Sequence, residues 1–130
     1  MNNKGWIAVD LDGTLAEYHG WVNTFNIGAP IPLMQERVKK WLAEGRDVRI
    51  FTARVDGGLV AKTIYPEIPE ATVEFYKQVD LIVDMIQNWT EKHLGKRLPV
   101  TNKKDAGMIE LWDDQCVQVI KNTGQRVDEL

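Results

Sequence analysis

The stretch WIAVDLDGTL, residues 6–15, decides the fold of this chain. It begins with four apolar residues, as a buried strand does, and then carries Asp10 and Asp12 before a break at Gly13. Side chains two positions apart along an extended chain share a face, so we expect both carboxylates to point the same way. Neighbouring anions favour protonation of each other unless a cation binds them, and a hard divalent ion such as Mg²⁺ is the simplest candidate. The alternative is that Asp12 and Gly13 form an ordinary turn after the strand.

Length and composition indicate one ordinary globular domain. We expect a single domain over residues 1–130, with room for only a small cap over any site. The hydrophobic fraction of 44% is typical of globular proteins, and no apolar run is long enough for a membrane span, so we expect no membrane partner. The net charge of -3 gives no general attraction to nucleic acid. The single cysteine, Cys116, cannot form an internal disulfide, which favours a reducing, cytoplasmic location.

Helix and strand patterns alternate after this stretch. Apolar residues at helical spacing predict a first helix that starts at Pro32 and closes at Gly45. The segment DVRIF, residues 47–51, is a predicted strand, and a second helix is predicted from beyond Pro69 to Leu94. Strand, helix and strand in this order indicate parallel strands with right-handed crossovers. The predicted fold class is therefore α/β: a Rossmann-like parallel sheet with helices on both faces, in three α/β/α layers, with a minimal cap or none.

The remaining segments are less regular. Residues 98–100 (LPV) are too short and too marked by proline for a central strand, whereas MIELW at 108–112 and CVQVI at 116–120 are predicted strands. Residues 15–31 lose all periodicity and alternate aromatic residues with breakers, which we interpret as a flap that leaves the carboxylates and folds back over them. Its aromatic side chains either pack against the edge of the core or contact a substrate. Trp21 is the best candidate for contact with a substrate.

The candidate catalytic and metal-binding side chains each follow a predicted strand. Asp10 and Asp12 follow the first strand, Thr52 follows DVRIF, and Asp113 and Asp114 follow MIELW. In a parallel sheet the carboxyl ends of the strands lie along one edge, where ligands bind. Four carboxylates gathered there with few softer ligands suit Mg²⁺ better than zinc. The sequence therefore predicts a magnesium site at this edge.

Four segments resemble, in order and type, the motifs of the haloacid dehalogenase superfamily of phosphatases and phosphotransferases. They are DLDGTLA at residues 10–16, Thr52 within FTAR, a lysine, and the acidic pair within WDD. The resemblance covers most of the chain, from residue 6 to about residue 124. The segment KDAGMIELWDDQCVQVIKNTG, residues 104–124, is similar to a small capless branch of that superfamily found in phages and bacteria.

The resemblance implies a magnesium-dependent phosphohydrolase that works through an aspartyl-phosphate. Asp10 would be the nucleophile, and Asp12 would protonate the leaving alkoxide and later activate water. The metal would bind the carboxylate of Asp10, the carbonyl of Asp12, and Asp113 or Asp114, with Asp113 favoured because it lies nearest the strand end. Thr52 would donate a hydrogen bond to a phosphoryl oxygen.

Some assignments within this scheme stay open. A lysine would neutralise charge between nucleophile and phosphate; Lys104 is favoured over Lys103, because Lys-Asp opens the segment that leads to the next strand. Both lysines could instead belong to a solvated basic loop. The N–H groups that follow Thr52, beginning with Ala53, could join it in binding phosphate. Arg54 either binds substrate or anchors its loop.

Two other functions fit the same architecture. A phosphate-accepting receiver domain carries its acceptor on the middle strand, whereas the middle strand here ends at Thr52 rather than at an aspartate. A catalytically silent, phosphate-binding regulatory module would have lost the nucleophile or the acid, whereas Asp10 and Asp12 are both present. These differences favour the enzyme.

The expected substrate is a phosphorylated small molecule or a phosphorylated polymer. Only the flap at 18–31 and the loop at 55–69 have room to cover the site, so an open site that admits bulky phosphoesters is expected. Nucleic-acid ends are suggested only by basic pairs that are scattered along the sequence: Lys39-Lys40, Lys96-Arg97 and Lys103-Lys104.

Overall fold

Strands and helices alternate along the chain in its computed structural model, which describes residues 5–20, 26–55 and 69–129, with only the backbone for 69–78. The elements are β1 (Trp6–Asp10), α1 (Pro32–Ala43), β2 (Asp47–Phe51), α2 (Pro69–Leu94), β3 (Val100–Thr101) and β4 (Met108–Trp112). Short 3-10 turns lie at Ala53–Val55 and Val127–Glu129. The predicted helices and the three strands β1, β2 and β4 are confirmed. Neither helix is long and apolar enough to cross a bilayer within these residues.

All four strands are parallel and lie in the order β3-β2-β1-β4. β1 is central, with Asp10 beside Phe51 of β2 and Val9 beside Trp112 of β4. The predicted α/β, Rossmann-like parallel sheet is therefore confirmed. Because β2 and β4 flank β1, the residues that follow all three strands meet at one edge.

Both helices pack on the same face of the sheet. The steps from β1 to β2 and from β2 to β3 run in one direction, so right-handed crossovers place α1 and α2 side by side. The side-chain amide of Gln35 in α1 donates to the carbonyl of His93 in α2 over 2.8 Å. The buried core between helices and sheet includes Ile7, Val9, Met34, Val38, Val48, Ile50, Ile82 and Ile86.

The opposite face carries a loop where the three-layer prediction places helices. Residues 102–107 join β3 to β4 and include Asp105, which accepts a hydrogen bond from Nε1 of Trp6 over 2.8 Å. Trp6 faces away from the helices because it alternates with Ile7 along β1. A six-residue connection is too short for a crossover helix. In the described ranges, the second helical layer is therefore not seen.

Two short apolar segments behave differently. β3 begins after Pro99 and is an edge strand, as the proline predicts. The strand predicted at 116–120 is wrong: Val119 makes only an isolated bridge to Arg126, and Val117 and Val119 are 59% and 51% exposed. Apolar residues favour strands when a pleated surface covers them, and no strand flanks this segment in the described chain. Cys116 within it is exposed.

The flap has an ordered stem. The N–H of Glu17 donates to the carbonyl of Ala29, and the N–H of Ile31 donates to that of Leu15, each over 2.8 Å. The segment therefore leaves β1 and returns antiparallel to itself, as predicted. Trp21 and the loop at 56–68 lie outside the described residues.

Candidate active site at the carboxyl edge of the sheet

Three carboxylates converge where β1 and β4 end. One oxygen from each of Asp10, Asp113 and Asp114 lies within 4.8 Å of the other two. Asp10 is the last residue of β1, and the acidic pair follows β4, so the parallel pairing of these strands brings the groups together. The sequence prediction for these three residues agrees with their placement.

The environment of Asp10 disfavours its charged form. Burial, the charge of Asp113 and the hydrogen bond and charge of Asp114 raise the pKa of Asp10 from 3.8 to about 7, against a smaller opposing effect of Thr14. Among the described residues, the causes of this shift include no lysine or arginine. The cluster therefore has an excess of negative charge that a bound cation would relieve.

The turn after β1 fits closely against the acidic pair. The hydroxyl of Thr14 lies 3.3 Å from Oδ2 of Asp10 and 3.1 Å from Oδ1 of Asp114, and it accepts the N–H of Asp114 over 3.0 Å. Gly13 has a φ of 89°, and a Cβ atom there would lie 2.7 Å from Oδ2 of Asp114. Glycine is needed at residue 13 on both counts. The sequence indicates only a turn at Gly13, because its contact with Asp114 involves a distant segment.

Asp12 does not join the cluster through its carboxylate. Its two oxygens accept hydrogen bonds from Nε and Nη2 of Arg54 over 2.7 and 2.8 Å. The prediction that Asp10 and Asp12 point the same way along an extended chain fails because the chain turns at Leu11, directly after β1. Arg54 also donates to the carbonyl of Asn26 over 2.8 Å, which ties it to the flap.

Thr52 is fixed directly after β2. It is buried, its N–H donates to the carbonyl of Thr101, and its hydroxyl accepts the N–H of Arg54 over 3.1 Å. The N–H of Arg54, one of those predicted to bind phosphate, therefore contacts Thr52 instead. Ala53 is exposed at the start of a 3-10 turn.

Within the described residues, no contact between the predicted lysine and Asp10 is seen. Lys103 and Lys104 are both exposed, and neither is among the groups that shift the pKa of Asp10. The chain leaves the carboxyl edge at this point, since Asp105 already contacts Trp6 at the amino end of β1. The order of residues along the chain does not indicate the direction in which this loop runs.

A cavity of about 190 Å³ lies beside Asp12 and Arg54. Its other walls come from the flap: Glu17, Tyr18, His19, Gly20, Asn26 and Gly28. The opening between flap and sheet edge therefore lies next to Asp12. A larger cavity, of about 530 Å³, lies at the amino end of the strands and contains none of the predicted site residues.

Comparison with known proteins identifies no relative of this chain. No family model, no curated protein and no solved structure matches it. A function has to be inferred from the arrangement of its own residues.

Proposed function

We propose that this protein is a Mg²⁺-dependent phosphohydrolase that cleaves phosphomonoesters through an aspartyl-phosphate on Asp10. The main support is the cluster of Asp10, Asp113 and Asp114, whose oxygens lie within 4.8 Å of one another. The position of Thr52 at the same edge and the resemblance of the sequence motifs to the haloacid dehalogenase superfamily add to it.

The residues present fit a magnesium ion. Carboxylate oxygens are the hard donors that Mg²⁺ binds, and the pKa of Asp10 is raised by burial and then by the like charges that such an ion would neutralise. Asp10 would hold it together with Asp113 or Asp114, and the backbone carbonyl of Asp12 is the further ligand that the resemblance implies. When bound, the ion stabilises the charge of the transferring phosphoryl group.

The protein side chains would carry out the chemistry in two steps. In the first, an oxygen of Asp10 attacks phosphorus, the ester P–O bond breaks, and a proton on Asp12 passes to the leaving oxygen. In the second, water attacks the phosphorus of the aspartyl-phosphate, Asp12 takes a proton from that water, and inorganic phosphate leaves with Asp10 restored. The hydroxyl of Thr52 would donate to a phosphoryl oxygen in both steps.

The substrate class follows from the walls of the site. The cavity of about 190 Å³ beside Asp12 would take the part of the leaving group nearest the ester oxygen. We infer a phosphorylated small molecule or a phosphorylated polymer as substrate, in a cytoplasmic setting. Nucleic-acid ends have only the scattered basic pairs in their favour.

A catalytically silent, phosphate-binding regulatory module is the alternative. It is favoured by one observation: Lys103 and Lys104 are exposed and absent from the surroundings that shift the pKa of Asp10. Such a module would bind phosphate at this edge without turnover.

Phosphate release from a panel of substrates tests the proposal. The panel contains p-nitrophenyl phosphate, nucleotides, sugar phosphates and oligonucleotides with phosphorylated ends, each with Mg²⁺ and with EDTA. We expect turnover with Mg²⁺ only, and a loss of about 10⁴-fold or more in Asp10→Asn, because an amide is not a nucleophile. Circular dichroism would verify that this variant stays folded. Phosphate binding without turnover of any substrate would favour the silent module, and activity in Asp10→Asn would contradict the assigned nucleophile.

A further inference from the structure

We propose that Arg54 is a positioning residue that holds Asp12 in place for proton transfer, rather than a phosphate-binding residue. This inference rests on the proposed function. It decides between the two roles that the sequence leaves open for Arg54.

The contact between Arg54 and Asp12 is a bidentate salt bridge. Nε and Nη2 of Arg54 lie 2.7 and 2.8 Å from the two carboxylate oxygens of Asp12. The Arg54 side chain is only 4% exposed and that of Asp12 is 19% exposed. Two parallel charge-assisted hydrogen bonds in a largely buried setting fix the plane of the carboxylate as well as its position.

Arg54 is itself held from two sides. Its N–H donates to the hydroxyl of Thr52 over 3.1 Å, and Nη2 also donates to the carbonyl of Asn26 over 2.8 Å. The first contact joins it to the end of β2, and the second joins it to the flap. Asp12 therefore takes its orientation from two parts of the chain that are distant in sequence.

This arrangement leaves part of the Asp12 carboxylate open toward the cavity. A carboxylate has about four lone-pair positions, and the two N–H groups of Arg54 use two of them. Asp12 lines the cavity beneath the flap, so a remaining position can face the ester oxygen there. The proton moves from this oxygen of Asp12 to the leaving oxygen as the P–O bond breaks, and a proton from the attacking water replaces it.

Phosphate binding through Nε or Nη2 of Arg54 would require it to abandon the contacts with Asp12 and Asn26. The causes of the shifted pKa of Asp10 are its burial, the acidic pair and Thr14. A guanidinium that turned to the phosphoryl group would leave the Asp12 carboxylate without its two charge-assisted bonds, which are stronger than neutral ones.

The dependence of the rate on the leaving group tests the role. p-Nitrophenolate leaves readily without a proton, whereas the alkoxide of glycerol phosphate needs one. The ratio kcat/KM reports steps up to release of the alcohol, before the aspartyl-phosphate is hydrolysed. In Arg54→Ala we expect kcat/KM for glycerol phosphate to fall about 100-fold, within the range that general acids contribute, and for p-nitrophenyl phosphate to fall less than about fivefold.

A double-mutant cycle with Asp12→Asn identifies the route of the effect. If Arg54 acts through Asp12, adding Arg54→Ala to Asp12→Asn lowers kcat/KM for glycerol phosphate little further. The matched control is Arg49→Ala, which breaks the similar pair of Arg49 with Asp47, at 3.1 and 2.9 Å, on the same strand. We expect it to keep both substrates within about twofold of the wild type. Should Arg54→Ala not fold, Arg54→Lys serves instead, because lysine cannot form the bidentate contact.

Equal losses on both substrates, mainly through a raised KM, would overturn the inference and make Arg54 a phosphate-binding residue. Additive effects in the double mutant would overturn it as well. Absence of turnover by the wild-type protein would contradict both the proposed function and this inference. That outcome is distinguishable from failure of the inference alone, because it is seen without any variant.

Discussion

Each end of the sheet has carboxylates close to an arginine–aspartate pair, but the pKa of the central carboxyl group is shifted in opposite directions at the two ends. At the amino end, Asp105 accepts hydrogen bonds from Nε1 of Trp6 and the N–H of Gly107, each over 2.8 Å. These bonds, with the charge of Arg49, lower its pKa. At the carboxyl end, burial and two neighbouring carboxylates raise the pKa of Asp10 to about 7.

This contrast favours the carboxyl end, rather than the amino end, as the end that binds a ligand. The larger cavity, of about 530 Å³, lies at the amino end, where Asp47 and Asp105 are already paired with donors. Cavity volume alone would select the amino end, whereas the proposed site lies at the carboxyl end. Strongly perturbed carboxylates are typical of functional sites, and compensated ones are typical of structural contacts. Charge compensation therefore distinguishes the two ends where volume does not.

The largest effect at the carboxyl end is expected from Gly13→Ala. The substitution places a Cβ atom 2.7 Å from Oδ2 of Asp114 at a φ of 89°. We expect a loss of about 1–2 kcal/mol in the free energy of unfolding from the backbone conformation, and Mg²⁺ affinity lower by about tenfold or more because the carboxylate must move. Urea unfolding and calorimetric titration with Mg²⁺ measure the two effects.

Gly95→Ala is the matched control for this change. Gly95 follows α2 with a φ of 84°, and a Cβ atom there meets nothing within 4 Å among the described residues. It should show the same loss of stability with unchanged Mg²⁺ affinity. Equal Mg²⁺ affinities for the two variants would contradict the placement of the metal against Asp114.

The next effect is the response of stability to pH. Because the pKa of Asp10 is raised from 3.8 to about 7, the folded protein binds a proton that the unfolded chain has released between these values. Stability is therefore lost as pH rises from about 4 to 7 in the absence of metal. After allowance for solvent screening of this half-buried carboxylate, we expect a loss of about 1–2 kcal/mol, absent in Asp10→Asn.

The amino end should respond in the opposite direction. The pKa of Asp105 is lowered, so its contribution is present above about pH 4 and is lost as pH falls below its ordinary value of 3.8. Urea unfolding in EDTA from pH 3 to 8 would separate the two contributions, with Asp10→Asn and Asp105→Asn as the variants. We expect the free energy of unfolding to fall with rising pH because of Asp10. If that of the wild type instead rises between pH 5 and 8, and Asp10→Asn removes the rise, this expectation is refuted.

Much of this contrast could be predicted from sequence, because it depends on strand order along a parallel sheet. Asp10 and Asp113 each follow a strand with a clear apolar pattern, and parallel strands bring their carboxyl ends together whatever lies between them. Both helices could also be predicted, because a proline at the start of each helix and a glycine after its end are local sequence signals.

The remaining features depend on contacts between distant residues. Arg54 and Asp12 are separated by a helix and a strand, and no spacing rule selects that pair over binding to a substrate. The prediction for Asp12 assumed that the chain stayed extended beyond the end of the strand at Asp10, whereas buried Leu11 starts a turn. Lys103 and Lys104 lie in the loop that reaches Trp6 at Asp105, and loops carry no periodicity that would indicate their direction.

The smallest effect is expected at the amino end, from Trp6→Phe. This change keeps an aromatic ring beneath Arg49, whose guanidinium lies 4.6 Å from the ring centroid, and removes only the N–H that donates to Asp105. One hydrogen bond to a carboxylate is a modest part of stability, so the melting temperature should fall by a few degrees. Since this end is inferred to be structural, kcat/KM for p-nitrophenyl phosphate should stay within about twofold of the wild type. A tenfold loss of activity at unchanged Mg²⁺ affinity would mean that the loop from Asp105 to β4 helps to place the acidic pair, and the two ends would then not be independent.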